Sequence, residues 1–258
     1  MALYSRRILM PLLAVLLLMQ FGCASKIKGW SQEAYRTPEP LVAELRQGKL
    51  GVLPVMVLEQ PAKEDQKRGS KPLPAPYTPE QAFETAEMLP QSTVADPNRL
   101  GISEILLRKL RANLFSIPII SPAEFLKSIN DSGLTATYLR FDRNFPRLGM
   151  NSEYLSSFSR ATGSRYLLIS TAFFSEYSSE SSVNIIWTFG RKTVLRSVKI
   201  LGQIWDAQSG RKLWEGYAVG YNSMAPYESP PLPEKIMDQA VASFVGIMLP
   251  GPENQDKR

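Results

Sequence analysis

Apolar residues change their spacing several times along the chain, and each change marks an element. Leu50-Gly-Val-Leu-Pro-Val-Met-Val-Leu58 is a continuous apolar run with the length of a buried strand. Pro54 inside it removes one ladder hydrogen bond, so the run either lies at a sheet edge or carries a bulge there. Ile102, Leu106, Leu110 and Leu114 then recur at i+4, with Ile105 beside them, behind a helix start at Asp96-Pro97. Ser121-Pro-Ala-Glu124 reads as a capping box, with Ile120 placed to staple onto Phe125. Between these helices Ile117 to Ile120 reads as a short buried strand. Asn151 or Ser152 opens a further helix, which Gly163 closes as a left-handed cap.

The second half is strand-rich. Arg165-Tyr-Leu-Leu-Ile-Ser-Thr-Ala-Phe-Phe174 is the most strand-like stretch. A polar turn at Ser175–Ser182 precedes two further strands, around 183–190 and 193–206, and a last strand runs from Arg211 to Asn222. From Pro233 a helix presents one wide apolar face, Ile236, Ala240, Val241, Phe244 and Met248 among it. Residues 24–47 are polar, carry Pro-Glu-Pro at 38–40, and read as a tether leading into a short helix, Leu41 to Arg46. Residues 60–96 are punctuated by six prolines, with a charged cluster at Lys63–Lys67; they read as an insertion into the domain. The tail after Pro250 is polar, and 251–258 reads as disordered.

The stretch Gly202-Gln-Ile-Trp-Asp-Ala-Gln-Ser-Gly-Arg-Lys-Leu-Trp-Glu-Gly216 is a hairpin. Asp206 can cap its turn, and Gly210 supplies the positive φ that a type I turn with a bulge requires. Register decides the tryptophans: a four-residue loop sets Trp205 and Trp214 diagonally on one face, a three-residue loop sends them to opposite faces. A similar Asp…Gly…Trp turn occurs in propeller blades, but it appears once here and propellers need repeats.

The first residues follow a different logic. Arg6 and Arg7 form a positive n-region, Ile8 to Met19 an apolar stretch broken by Pro11, and Gly22 precedes Cys23, the single cysteine of 258 residues. That is a secretory layout, too short for a comfortable spanning helix. Its end resembles a bacterial lipobox, in which the chain is cut before a Cys that carries acyl chains such as palmitate. Gln20 stands where that motif usually has Leu. An ordinary signal peptide and an uncleaved anchor are the alternatives, and Ser5-Arg6-Arg7 faintly resembles a twin-arginine signal. The resemblance implies lipid attachment at Cys23. Ala24 and Ser25, with no Asp after the Cys, imply sorting to the outer membrane, on its periplasmic face.

Composition narrows the chemistry. Cleavage before Cys23 removes Arg6 and Arg7, taking the formal charge from +6 to +4. No other cysteine remains, so no disulfide can form within the chain. There is no histidine, which removes the usual general base, the Ser-His-Asp triad and the commonest metal ligand. No GxSxG, GxxxxGK[ST] or GxGxxG after a strand is present. The carboxylates are scattered, as solvated surface groups are. A basic balance raises nucleic acid as a partner, but an exported chain meets little of it. No catalytic residue, cofactor or metal is expected.

The expected architecture is α/β: a signal peptide (1–22), a flexible tether (23–47) and one domain (48–250). The domain is a single mixed β-sheet of about five strands packed by amphipathic helices. Three stretches carry a resemblance: Gly51-Val-Leu-Pro-Val55, Ala161-Thr-Gly-Ser-Arg-Tyr-Leu-Leu168 and Ile204 to Trp214. Together they resemble the α/β domain shared by the curli secretion lipoprotein CsgG, the penicillin-binding-protein activator LpoB and the amino-terminal domain of TolB. The sequence departs from that group in its Pro-rich insertion and in Thr171-Ala172, where a Gly is common. The resemblance implies a non-enzymatic, lipid-anchored accessory or assembly factor, a monomer or small oligomer, that binds other envelope proteins. Trp187, Trp205 and Trp214 are its candidate contacts. The alternatives are a subunit of a curli-type secretion channel, whose best spanning strand is Ser182–Gly190, and a wall-acting enzyme using carboxylates.

Overall fold

Pro54 divides the first apolar run into two strands. In the computed structural model, which describes residues 26–59, 97–148, 150–181, 191–223 and 233–249, they are β2 (Leu50–Val52) and β3 (Met56–Glu59). Both run parallel to β5 (Tyr166–Ser181), but Val52 pairs with Leu168 and Met56 with Thr171. Four residues on one strand therefore span three on the other, the bulge that the proline demands. The Val55 N–H in this gap donates to Ser103 Oγ at 3.0 Å.

Among the described residues seven strands make one mixed sheet. Besides those three they are β1 (Lys26–Arg36), β4 (Ile119–Ile120), β6 (Arg191–Asp206) and β7 (Arg211–Ser223). Their order is β1-β7-β6-β5-β2-β4, with β3 also on β5. The single mixed α/β sheet expected from the sequence is present, two strands larger than expected. One addition comes from the division at Pro54. The other is β1, which occupies much of the expected tether and pairs antiparallel with β7 from Lys26↔Ser223 to Arg36↔Trp214.

The expected polar turn at Ser175–Ser182 is strand as far as Ser181. β5 and β6 stay paired from Ser175↔Ser197 to Ser181↔Arg191, past the last β6–β7 pair, Ser197↔Tyr221. Glu176 stands opposite Arg196 and Glu180 opposite Lys192. Polarity alone had read this stretch as turn. The expected signal peptide (1–22), Pro-rich insertion (60–96), strand near 183–190 and tail (251–258) lie outside the described residues.

Helices cover the sheet in two layers. On one face lie α1 (Leu41–Leu45), α2 (Pro97–Asn113) and α6 (Pro233–Met248), closing a core that includes Leu106, Leu110, Trp214 and Phe244. On the other, α3 (Pro122–Asp131), α4 (Thr135–Leu148) and α5 (Ser152–Thr162) bury Phe125, Phe141 and Phe158 over β5 and β2. The local signals hold. Ser121 and Glu124 form a reciprocal capping box, Asn151 caps α5, and Gly163 ends it at φ 65°. The sequence had not indicated α4, whose Thr-rich start and Pro146 weaken its helix propensity. Arg99, its side chain 2% exposed, pins α2 to α4: it donates to both Asp142 oxygens at 2.6 and 2.9 Å and to Tyr138 Oη at 2.9 Å.

α6 sits over three glycines, with its own backbone against one of them. A Cβ on Gly220 would collide with the Ile236 carbonyl and stand 2.7 Å from Ala240 N; one on Gly29 would strike Ser243, and one on Gly202 the Phe244 ring. Arg36, on the β1 edge, donates to the Ile247 and Met248 carbonyls at 2.9 and 3.1 Å, capping the end of α6. Gly220→Ala forces backbone apart, so we expect a loss of ~1–3 kcal/mol in urea unfolding, the usual range for overpacking. An unchanged unfolding midpoint would contradict this close seat.

Candidate functional site

The β6–β7 turn settles the tryptophans. Asp206↔Arg211 closes a four-residue loop in which Gly210 has φ 69°. Trp205 pairs with Lys212, but Ile204 pairs with Trp214, so one extra residue is inserted immediately after the turn. A four-residue loop alone would have left both indoles on one face; the bulge sends them to opposite faces. Trp214 is fully buried, edge-on to Phe244 with ring centroids 5.3 Å apart. As a partner contact it is corrected: it is a core residue under α6. Trp205 is half-buried on the other face. Trp187 and Cys23 lie outside the described residues.

That other face is exposed across β1 and β7, and at its β6 margin Trp205 packs against the core beneath α3, α4 and α5. The helix that packs on all three strands is α6, from the opposite side. The face is an aromatic and polar surface. Trp30 and Tyr35, on β1, are 37% and 40% exposed. A bulge between Glu33 and Tyr35 brings Tyr35 onto the same face as Trp30 and Gln32. Trp30 meets the Tyr217 ring edge-on at 5.3 Å, and Tyr217 Oη donates to Gln32 Oε1 at 2.5 Å. Burial pushes the Tyr217 phenol pKa up.

Toward the turn the surface becomes charged. Lys212 Nζ lies 5.6 Å from the Tyr35 ring centre and 5.9 Å from that of Trp205, within cation–π range of both. It also pairs with Glu215. Gln203 Nε2 donates to Glu215 Oε1 at 2.8 Å, and its Oε1 accepts from Trp205 Nε1 at 3.0 Å. Each polar group is thus held by a neighbour, leaving aromatic edges and faces toward solvent. Further along β6, burial lowers the Lys199 ammonium pKa. Among the described residues no three His, Cys, Asp or Glu side chains are grouped to hold a metal ion. Of the rings on this face the sequence points to Trp205 and not to Trp30 or Tyr35, whose segment reads as tether.

An ion pair fixes the hairpin beneath. Asp206, 2% exposed, accepts from Arg165 NH2 at 3.1 Å and from the Gln208 N–H at 3.0 Å. Arg165 also donates to Gln47 Oε1 at 3.1 Å, and its carbonyl accepts the Ala207 N–H at 2.8 Å. The turn is therefore bolted to the start of β5.

No protein-family model matches the chain, and no curated protein matches it. Solved structures do. The chain is similar to the PelC dodecamer from Paraburkholderia phytofirmans, at 12% identity over 86% of this chain and 98% of that one, with a TM-score of 0.39. It is similar to a lipoprotein from Neisseria meningitidis at 14% identity over 78% and 96%, again with a TM-score of 0.39. It is also similar to the LpoB C-terminal domain from Salmonella enterica, at 18% identity over 70% and 92%, with a TM-score of 0.29.

The Arg165–Asp206 pair makes a pH-dependent prediction. Burial alone would raise the Asp206 pKa, but hydrogen bonds from Arg165 and from the turn hold it below its ordinary 3.8. A depressed folded pKa stabilises above the unfolded value, and that contribution is lost as pH falls through the folded one. Asp206→Asn should therefore be less stable than wild type at neutral pH, with the gap closing as pH falls below about 4. Urea titrations across that range check it; a gap independent of pH would contradict the pairing.

Proposed function

We propose that this chain is a non-enzymatic outer-membrane lipoprotein, anchored through Cys23 on the periplasmic face, that binds another envelope protein. It acts as an accessory or assembly factor, a monomer or small oligomer without a cofactor. The observation that carries this is the open face of β1, β7 and β6. Exposed Trp and Tyr rings, a lysine between two of them, and polar groups already engaged with one another are the make-up of protein-binding surfaces. The signal-like N-terminus, the lone Cys23 and the absence of histidine support the same reading.

The second reading is the curli-type channel subunit, and the length of the β5–β6 pair favours it: each strand has 16 residues. A membrane-spanning strand needs roughly 9–11 residues with one continuous apolar face. Along the end of β5, Ser175, Tyr177, Ser179 and Ser181 alternate with Glu176, Ser178 and Glu180, and neither set forms the continuous apolar face that such a strand needs. That pattern argues against a lipid-facing wall.

Two experiments test the proposal. Cys23→Ala should accumulate as unprocessed precursor; a variant processed to wild-type size and released as soluble protein removes the lipid anchor. A photocrosslinker in place of Tyr35 should capture one envelope protein in intact cells. Trp30→Ala with Trp205→Ala should abolish that adduct while the variant, though less stable, still unfolds cooperatively in urea. Capture that persists undiminished in the double variant would move the partner off this face.

A further inference from the structure

We infer that the outer edge of β1 takes an added β-strand. The occupant is an extended segment of the envelope partner that pairs with Ile27–Gln32, setting an apolar or aromatic side chain beside Trp30 and an Asp or Glu beside Lys28. The inference rests on the partner-binding surface proposed above and names the form in which the partner meets it.

β1 is the terminal strand of the sheet, and its ladder with β7 uses one of its two edges. One hydrogen bond tells which backbone groups face outward. The Thr37 N–H donates to the Leu213 carbonyl at 3.0 Å, so Leu213 turns its backbone toward β1. Alternation along β7 turns Tyr217, Val219 and Tyr221 the same way. Their partners Gln32, Trp30 and Lys28 therefore bond to β7, while Ile27, Gly29 and Ser31 direct N–H and C=O away from the sheet. Among the described residues nothing bonds to those outward groups. The edge is open to solvent: Gly29 is exposed even though Ser243 and Gln239 fill the place of its missing Cβ. Edge strands are usually short or guarded by prolines, bulges or inward charges. Here Ile27–Gln32 runs regularly for about 20 Å at ~3.3 Å per residue before the bulge after Glu33, and the first proline beyond is Pro38.

Side chains select the occupant. Lys28, Trp30 and Gln32 share the open face, and alternate residues of an added strand would lie beside them, with Cβ atoms about 5 Å apart. Trp30 meets Tyr217 on its inner side and is 37% exposed, which leaves its outer side for an apolar or aromatic neighbour. Lys28 is exposed and makes no ion pair among the described residues, so a carboxylate two positions from that neighbour complements it. A second copy of this chain cannot supply that carboxylate. Two-fold antiparallel pairing of β1 with itself sets residues of one face against each other. Lys28 would then meet Lys28, Trp30 or Gln32, because Glu33 belongs to the α6 side.

The test uses the full chain in intact cells, with a benzoylphenylalanine photocrosslinker at position 28, 30 or 32 in turn and the linked peptides sequenced by mass spectrometry. Adducts should fall within one continuous partner segment and advance by two residues for every two along β1, the register of paired strands. Adducts on separate partner segments, or on a second copy of this chain, overturn the inference. Ser31→Pro removes an outward N–H from an edge, where proline is tolerated. It should keep cooperative urea unfolding and lower capture at position 35 by about tenfold, the cost of one backbone hydrogen bond. Ser31→Ala should leave that capture intact. Undiminished capture by folded Ser31→Pro overturns this inference and leaves the proposed surface standing. If Ser31→Pro does not fold, the adduct register decides alone. Absence of capture at all four positions removes the surface, and this inference with it.

Discussion

The backbone of α6 rests directly on β7 at Gly220, and its side chains fill the space above Gly29 and Gly202; much of the arrangement depends on that seat. Gly29, Gly202 and Gly220 lie on β1, β6 and β7, each where a methyl group would strike the helix. Close contact brings Phe244 down onto β6 and edge-on to Trp214, and it lets Arg36 reach the last carbonyls of the helix. One helix thereby covers three strands on its side of the sheet. The remaining helices gather over β5 and β2 on the opposite side. The other face of β1 and β7 is left exposed beside them, with Trp205 of β6 at the border.

What occupies that face is neither ordinary core nor ordinary surface. Single exposed apolar residues are common on soluble proteins and signify little. Here the rings are joined into one set: Trp30 against Tyr217, and Lys212 between Tyr35 and Trp205. Gln203 and Glu215 hold the indole and the ammonium from below. Such mutual restraint lowers the side-chain entropy still to be lost when a partner docks. The bolt between Arg165 and Asp206 extends it to the backbone, because the turn that delivers Trp205 and Lys212 is fixed to β5.

The elements that sequence made legible are those set by neighbours in the chain. Caps at Ser121, Asn151 and Gly163, the i+4 stripe of α2 and the apolar face of α6 are local patterns, and they stand where expected. β1 escaped notice because its helix-facing side is dictated by α6: contact there needs Gly29, where a strand usually shows a large apolar residue. Without alternation, Lys26–Arg36 looks like polar linker. The outcome at Trp214 turned on one inserted residue, which no propensity distinguishes from the alternative register. The fold was thus largely readable. The candidate surface was not, since half of it is supplied by a strand whose identity depends on a helix two hundred residues away.

Strand length also separates the two ends of the molecule. β1 spans 11 residues, about 36 Å at ~3.3 Å each, from Lys26 beside the proposed anchor to Arg36 beside the end of α6. Trp30 stands four residues along it and Tyr35 nine, so their backbones lie roughly 13 and 30 Å from the anchored end. The headgroup region of one leaflet is only about 5–8 Å deep. With the chain held at Cys23 as proposed and β1 along the membrane normal, Tyr35 therefore stands well beyond the lipid. Lys212, which reaches its ring, and Trp205 beside it then stand at the same height, so the set of rings is placed to meet a protein and not the bilayer.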